Sequence, residues 1–313
     1  MNYPLITVII VTYNSGKYVL GTLNSLINTN YPNLQIIVSD DSSIDDTIGR
    51  CREWAEIYSS LYDISLLTSD TNRGTAHNIN KALPYVKGEY VKIIAGDDEF
   101  CNNYFFKCIE YFFDNPDCSI LSTNVKYLYE ANGISISGQP FTSLVTTNKL
   151  DPIEMYRTII RYNVIFSPTC MIKYSLIQSI GGFDERYPLC EDLFFYAKVL
   201  KSGYRIHFID ECLIKYRIHD QSVQAKNKSK VFTKYHHDYI HGKRDLLWQD
   251  LRSSEVVLEK LNFILYNKII NNGNDYKRLN IFYMLCMRMC NILLRFVNFR
   301  YYLNIINRKS VTF

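Results

Sequence analysis

The first hundred residues alternate between short apolar runs and amphipathic stretches. Apolar runs with few polar interruptions are typical of strands buried on both faces. The sequence predicts such strands at residues 5–13, 34–39, 64–68 and 92–95. Helical patterns lie between them, at about 17–27, from the acidic pair Asp45 and Asp46 through Trp54, and at 76–86. Strands that alternate with helices through short turns indicate an α/β fold with a parallel sheet.

Polar side chains follow three of these strands, where each one ends. They are Thr12 and Tyr13, Asp41, and the adjacent acids Asp97 and Asp98. The carboxyl ends of parallel strands share one edge of a sheet, which is where ligands bind in open α/β folds. Two adjacent carboxylates repel each other unless a cation lies between them, as in a divalent metal site. Simpler interpretations stay open: Tyr13 packs, Asp41 caps a helix, and the acid pair forms a solvated turn.

Composition narrows the function further. The chain has 313 residues, 47% of them hydrophobic, and a net charge of only +4, which is too weak to indicate nucleic-acid binding. Nine cysteines without a CxxC pair argue against a disulfide framework or structural zinc and favour a reducing, cytoplasmic location. The apolar run at 5–11 lacks the flanks of a signal peptide, and no stretch reaches the roughly 20 apolar residues of a membrane span.

The turn after the first strand argues against two related functions. Nicotinamide-dependent enzymes and sugar-1-phosphate nucleotidyltransferases use a glycine-rich turn at this position to approach phosphate. Here the turn contains only Gly16. Hydride transfer is therefore disfavoured, and nucleotidyl transfer stays open as an alternative enzymatic function.

An ordered set of motifs resembles one family. The motifs are VTYN at 11–14, SDDSS at 39–43, NRGTAHNIN at 72–80, KGEYVKIIAGDD at 87–98, GGFDE at 181–185, ED at 191–192 and YRIHDQS at 216–222. Together they look like the inverting family 2 glycosyltransferases of the GT-A fold, and the ordered set is far more specific than any single motif. The resemblance implies transfer of a sugar from a nucleotide-diphosphate sugar to an acceptor hydroxyl, with inversion, using Mn²⁺ or Mg²⁺.

The resemblance also implies roles on the donor side. The nucleotide sugar would be bound by Thr12, Tyr13, Asp41, Arg73 and Asp97. The metal would be held by Asp98, Asp97 and His219, although His219 has the alternative role of contacting the diphosphate. Many relatives carry a further acid where this chain has Ala95. The division of roles between Asp97 and Asp98 is therefore open. The alternative function is that of a non-catalytic nucleotide-sugar-binding or polysaccharide-assembly protein of the same fold.

On the acceptor side, the resemblance places the catalytic base at Asp192, beside Glu191. The chemistry needs one carboxylate within reach of the acceptor hydroxyl, and an aspartate is ionised at neutral pH. Both acids also lie where a helix begins, so a purely structural capping role stays open. The resemblance and the tight Gly181–Gly182 turn suggest acceptor-side positions for Phe183, Asp184 and Arg217. The acceptor would be a glycan or a lipid-linked glycan, as in assembly of bacterial surface polysaccharide.

Two regions are predicted along the chain. Residues 1–221 would form the catalytic domain, with a nucleotide-sugar half at 1–117 and an acceptor half at 118–221. The acceptor half would include a polar loop at 132–143 and a strand at 212–218. Residues 222–313 would be helical. The segment 277–298 has a narrow polar stripe on an otherwise apolar helix, so it either packs on the catalytic domain or makes peripheral contact with a membrane at its inner face. His237 and His241 are expected to be surface residues.

Overall fold

The computed structural model describes residues 3–131, 134–141, 150–161, 165–219, 232–271, 273, and the positions 285, 286, 289, 292, 293 and 296. The chain divides into two compact units. The first contains Met1–Ile159 and Asn163–His219, and the second contains Ile160–Tyr162 and Asp220–Phe313. The second unit therefore takes three residues from within the span of the first.

Four parallel strands form the first half of the sheet. They are β1 (Ile6–Thr12), β2 (Leu34–Asp40), β3 (Asp63–Leu67) and β4 (Tyr90–Ala95), in the order β3-β2-β1-β4. Their β-branched side chains are almost all buried, as expected for central parallel strands. The prediction of a mostly parallel α/β sheet is confirmed.

Helices connect and cover these strands. They are α1 (Val19–Ile27), α2 (Thr47–Tyr58), α3 (Thr75–Ala82) and α4 (Tyr104–Asp114). Apolar residues of α1, α2 and α4, such as Leu23, Trp54 and Phe105, join the strand side chains in one core. Asp45 and Asp46 differ from the prediction because they precede α2. Asp46 is its N-cap residue, and Asp45 accepts hydrogen bonds from the backbone N–H groups of Gly16 (3.0 Å) and Thr47 (3.1 Å).

The second half of the sheet is mixed. It contains β5 (Glu99–Phe100), β6 (Ile120–Ala131), β7 (Ile134–Phe141), β8 (Met171–Lys173) and β9 (Ile206–Ile218), and the described strands form one sheet in the order β3-β2-β1-β4-β8-β6-β9-β5, with β7 beside β6. Helices α5 (Pro152–Ile159), α6 (Tyr174–Ile180) and α7 (Glu191–Lys201) belong to the same unit. Antiparallel pairing of β5 with β9 brings Lys215 opposite Glu99, beside the carboxyl end of β4.

Two predictions for this half were incomplete. The polar segment 132–143 was expected to be a loop, but residues 134–141 form β7, which pairs antiparallel with β6. The strand predicted at 212–218 begins six residues earlier, at Ile206. It pairs parallel with β6 along most of its length, across an irregularity near Asn124.

The described part of the second unit is helical. It contains α8 (Lys234–Gly242), a π-helical turn (Lys243–Leu247) and α9 (Ser253–Asn271). Arg161 and Glu255, both in this unit, form a buried ion pair with Nε–Oε1 and Nη2–Oε2 distances of 2.6 and 2.7 Å. Among the described residues no helix combines the length and apolar character required to cross a membrane. Most of the predicted helix at 277–298 lies outside the described residues.

Candidate functional site

The carboxyl ends of β1 and β2 are joined by hydrogen bonds. The Thr12 hydroxyl donates to Asp40 Oδ1 at 2.7 Å, and the Asp41 N–H donates to the Thr12 carbonyl at 2.9 Å. Tyr13, the next residue after β1, leaves 50% of its surface exposed. Thr12 is therefore a structural link between strands, whereas Tyr13 is free of the core and offers an aromatic ring at the sheet edge.

Asp41 uses its carboxylate to hold the turn before α3. The carboxylate accepts hydrogen bonds from the backbone N–H groups of Gly74 (2.6 Å) and Arg73 (3.0 Å). Gly74 has a φ of +92°, and a Cβ atom on it would lie 2.4 Å from Cβ of Pro188. The turn thus requires glycine at position 74, both for its backbone conformation and for its close approach to Pro188. Asp41 fixes the position of Arg73 through the backbone.

Glu185 ties the GGFDE loop to the start of α3. Its carboxylate lies 3.1 Å from Arg73 Nη2, 3.0 Å from His77 Nδ1 and 3.0 Å from Asn80 Nδ2. Hydrogen bonds from these neighbours, that from Asn80 foremost, hold the pKa of Glu185 below its usual value. The Asn80 amide also pairs with both backbone groups of Phe183, at 2.8 and 3.0 Å. The loop is therefore held by side chains from a single helix and its N-terminal turn.

The acid pair follows β4 at the same edge. A Cβ atom on Gly96 would lie 2.8 Å from Cγ2 of Thr12, so the chain passes this point in close contact with β1. Asp97 Oδ2 lies 2.9 Å from His219 Nε2. Asp98 is 2% exposed, and its Oδ1 accepts a hydrogen bond from the Arg217 N–H at 2.9 Å. The structure thus brings Asp97, Asp98 and His219 together, as the sequence suggested.

Arg217 braces the acid pair from β9. Its Nε donates to the Asp97 carbonyl at 2.8 Å, and its Nη2 donates to Glu99 Oε1 at 2.6 Å. The guanidinium also lies over the ring of Tyr18, 5.0 Å from its centroid, and the His219 ring contacts the same tyrosine at 4.5 Å. Arg217 on β9 therefore fixes the positions of Asp97 and Asp98. The acceptor-side position predicted for Arg217 stays a prediction.

Electrostatics in this region favour a bound cation. Burial raises the pKa of the Asp98 carboxyl well above its usual value, and the negative charge of Asp97 raises it further. A carboxylate and an imidazole in contact are ligand types that suit Mn²⁺, and carboxylates suit Mg²⁺. Within the described residues there is no group of three or more acidic, histidine or cysteine side chains arranged to hold an ion. The chain could then supply part of a coordination shell, leaving positions for phosphate oxygens.

Asp192 and the acid pair influence the same tyrosine. The pKa of Tyr216 is raised first by burial and then by the negative charges of Asp98, Asp97 and Asp192. Asp192 is in the first turn of α7, and its Oδ1 accepts a hydrogen bond from the Leu193 N–H at 2.7 Å. Glu191 is the first residue of α7 and is buried. Of the two acids, Asp192 is the more exposed.

One acceptor-side residue, Phe183, differs from the expectation, whereas the acceptor-side position of Asp184 stays a prediction. Phe183 is buried and stacks on Phe195, with ring centroids 4.5 Å apart, so its side chain faces the core and not the crevice. Asp184 pairs with Arg186, whose hydrogen bond lowers the pKa of the Asp184 carboxyl. The glycines before them have φ values of +82° and +74°, which confirms the predicted sharp turn. That turn buries Phe183, because Asn80 holds its backbone.

Three residues at the site had no predicted role. They are Glu99, Glu185 and Tyr216, and each is part of, or directly beside, a recognised motif. Glu99 also accepts a hydrogen bond from Lys215 Nζ at 3.1 Å. The partners of Glu99 and Glu185 lie more than one hundred residues away along the chain, so no local pattern identifies these two residues. His237 and His241 form a stacked pair in the second unit, with ring centroids 4.2 Å apart.

Comparisons with known proteins agree on one family. The model of "Glycosyl transferase family 2" matches residues 7–172. An uncharacterised glycosyltransferase of Haemophilus influenzae is 26% identical over 72% of this chain and 68% of its own length. The putative teichuronic acid biosynthesis glycosyltransferase TuaG of Bacillus subtilis is 26% identical over 74% of this chain and 85% of its own length. The O-antigen chain rhamnosyltransferase RfbN of Salmonella typhimurium is 23% identical over 67% of this chain and 66% of its own length.

Solved structures agree on the fold. S. aureus TarS 1-349 in complex with UDP-GlcNAc superposes with a TM-score of 0.60 at 21% identity, covering 91% of this chain and 79% of the other. The chain spans 43% of a longer TarS structure. The mannosyltransferase PcManGT from Pyrobaculum calidifontis, in complex with GDP-Man and Mn²⁺, gives a TM-score of 0.55 at 18% identity over 95% of this chain and 72% of the other. The predicted GT-A fold is thereby confirmed.

A family model that covers more than half of the chain, together with the ordered motifs and the shared fold, assigns the chain to glycosyl transferase family 2, and it is a glycosyltransferase.

Proposed function

We propose that this protein transfers a sugar from a nucleotide-diphosphate sugar to an acceptor hydroxyl with inversion at the anomeric carbon. The observation that carries the proposal is the cluster after β4, where Asp97 Oδ2 lies 2.9 Å from His219 Nε2 and the buried Asp98 lies beside them. This cluster can receive a cation and diphosphate, and Asp192 in the first turn of α7 can accept a proton. The TarS and PcManGT structures, in complex with UDP-GlcNAc and with GDP-Man, support a nucleotide-sugar donor.

Residues at the sheet edge would bind the donor. Tyr13 offers an exposed ring for the base, and Asp41 keeps the 73–74 turn in place. Arg73 lies at the same edge with its guanidinium at Glu185, and it has the charge to contact the nucleotide. Asp97, Asp98 and His219 would supply part of the ligand set for Mn²⁺ or Mg²⁺, and oxygens of the donor diphosphate would supply the rest. The ion would neutralise negative charge on the diphosphate as it leaves.

The transfer itself needs one proton acceptor. The acceptor oxygen forms a bond to the anomeric carbon while the bond from that carbon to the diphosphate oxygen breaks. Asp192 takes the hydroxyl proton, and the electron pair of the broken bond leaves with the nucleotide diphosphate. Because attack is from the face opposite the leaving group, no covalent sugar intermediate forms. Arg217 keeps Asp98 in position through its backbone N–H and Asp97 through its Nε. A third hydrogen bond, from Nη2 to Glu99, holds the guanidinium itself.

Two relatives indicate the kind of biosynthesis to which this reaction would belong. Their names describe teichuronic acid and O-antigen synthesis. We infer that the acceptor is a glycan, free or linked to a lipid, in the synthesis of a bacterial surface polysaccharide. The acceptor would bind in the half at 118–221, where contacts with single hydroxyl groups would decide which hexose is transferred.

The experiment is an assay of nucleotide diphosphate release with a panel of UDP-, GDP- and dTDP-sugars and an acceptor extract. With the donor that is turned over, Asp192→Asn should reduce transfer by about 10²-fold or more, the usual contribution of a general base. Donor affinity, measured by calorimetry, should stay within about twofold because Asp192 makes no predicted donor contact. Asp114→Asn, at an exposed carboxylate at the end of α4, is the matched control. Near-normal transfer by Asp192→Asn would remove this residue from the mechanism.

The same assay tests the metal. After dialysis against EDTA, release should fall to background and return when Mn²⁺ or Mg²⁺ is added. Asp98→Ala should weaken the response to added metal, although this change also removes the partner of the Arg217 N–H, so folding is checked by circular dichroism. Full activity in EDTA would contradict a metal-dependent reaction.

A further inference from the structure

Charge is divided unequally between the two units of the chain. The second unit contains 17 Lys and Arg against 7 Asp and Glu, whereas the first contains 18 against 24. Its last part is the most basic, since residues 277–313 include seven Lys and Arg and no acidic residue. The small net charge of the whole chain therefore hides a strongly cationic C-terminal unit.

The helix α9 exposes an apolar face in this cationic unit. Val257, Leu261 and Ile264 are 57%, 45% and 52% exposed. Their spacing of four and three residues puts them on one side of the helix. Tyr266 and Ile269, by contrast, pack with Phe232 in a small core. The exposed side of α9 is thus separate from the side that holds the unit together.

A second apolar face follows further along the chain. The helical residues Leu285, Met289, Ile292, Leu293 and Phe296 are between 48% and 65% exposed. With 3.6 residues per turn they fall within an arc of about 100°. Isolated exposed hydrophobic residues are common, but aligned sets of large ones on a helix usually mark a surface that binds something apolar.

We propose that the C-terminal unit docks on an anionic lipid surface through these two faces. Aliphatic and aromatic side chains would enter the interface between headgroups and acyl chains, and Lys and Arg would attract acidic headgroups by about 1 kcal/mol each. A second copy of the chain would bring a like-charged unit and be repelled. A nucleic acid would match the charge but not the apolar faces. Acidic lipid is the partner that matches both properties, and this inference does not depend on the proposed reaction.

The test uses the full chain and sedimentation with vesicles. Vesicles of phosphatidylcholine and phosphatidylglycerol in equal parts should bind the protein at least about tenfold more tightly than phosphatidylcholine alone, and high salt should reduce this preference. The variant Leu261→Glu/Ile264→Glu should bind the mixed vesicles at least about tenfold more weakly, because it removes apolar surface and adds negative charge. Ile57→Glu/Leu61→Glu, two side chains that are each 70% exposed in the first unit, is the matched control and should bind like the wild type.

Three outcomes would overturn the proposal. The first is equal binding to neutral and mixed vesicles, or no binding to either. The second is unchanged binding by Leu261→Glu/Ile264→Glu and by a second variant, Met289→Glu/Ile292→Glu, which keeps the test valid if one of the two fails to fold. The third is a dimer, detected by light scattering, that both variants dissociate, since the faces would then join two copies of the chain. Circular dichroism confirms that each variant is folded.

Discussion

At the scale of single residues, the charged side chains of the site are used mostly to hold backbone. Asp41 accepts from two N–H groups of the turn that carries Arg73. Arg217 donates its own N–H to Asp98 and its Nε to the Asp97 carbonyl. Hydrogen bonds that involve a charged partner are stronger than neutral ones and are well aligned when one side is backbone. The acids are thereby held in place before a donor binds.

Lys92 extends this pattern into the core. It lies in the middle of β4 and donates to the carbonyls of Pro168 and Cys170, and its ammonium is 4.6 Å from the ring centroid of Tyr104. Burial lowers the pKa of Lys92 from 10.5 to about 7. Keeping Lys92 protonated therefore costs free energy in the folded protein but not in the unfolded chain.

This lysine predicts a specific pH dependence of stability. Between pH 7 and 10.5 the unfolded chain binds more protons at Lys92 than the folded protein does, so the free energy of unfolding should rise with pH. The upper limit of this contribution is about 1.4 kcal/mol per pH unit. Urea denaturation at several pH values should show a smaller rise for Lys92→Met than for the wild type. Lys87→Met, at an exposed lysine, should keep the wild-type slope, and identical slopes for all three proteins would refute the assignment.

At the scale of elements, the sequence predicted the first half of the sheet better than the second. Central parallel strands such as β1 and β4 are buried on both faces and leave unbroken apolar runs. β7 contains Gly138 and Pro140, which normally indicate a turn, and a strand tolerates proline where one edge is unpaired. The first part of β9 was missed because exposed Asp210 and Glu211 interrupt its pattern.

The residues of the site that follow parallel strands could be predicted from the sequence, whereas the contacts between distant segments could not. Strand ends at one edge of a parallel sheet must converge, so Tyr13, Asp41 and Asp97 could be grouped from the chain alone. The Arg217–Asp98 contact joins residues 119 apart through the β5–β9 pairing, which no local pattern encodes. Burial of Phe183 depends likewise on Asn80, 103 residues earlier.

The loop held by Asn80 gives a prediction for this scale. Asn80→Ala removes three hydrogen bonds from the Gly181–Glu185 loop and should lower the free energy of unfolding by about 1–2 kcal/mol, since each partly exposed bond contributes less than a buried one. Amide hydrogen exchange at Phe183 should become faster, while exchange in β1 stays unchanged. Asn102→Ala, at an exposed asparagine before α4, serves as the control. If exchange at Phe183 is the same in both variants, Asn80 does not order the loop.

At the scale of the whole molecule, the C-terminal unit is more than an added tail. It includes Ile160–Tyr162, which lie in sequence between α5 and the rest of the first unit. Arg161 from this short segment forms a bidentate ion pair with Glu255, and both side chains are at most 3% exposed. Glu255 also accepts a hydrogen bond from the Arg252 N–H at 2.8 Å. The segment is thus fixed to α9 by one of the most buried charge pairs among the described residues.

Breaking this pair should be far more costly than replacing it. Glu255→Ala leaves the buried Arg161 without its partner and should lower the free energy of unfolding by about 3–5 kcal/mol, measured by urea denaturation. The double change Arg161→Met/Glu255→Leu removes both charges and should recover most of that loss, because desolvation of the pair offsets much of its attraction. Asp63→Ala, which breaks the exposed Lys87–Asp63 pair, should change stability by less than about 1 kcal/mol. A double variant as unstable as Glu255→Ala would mean that the pair gives the second unit a packing or hydrogen-bonding contribution that apolar side chains cannot replace.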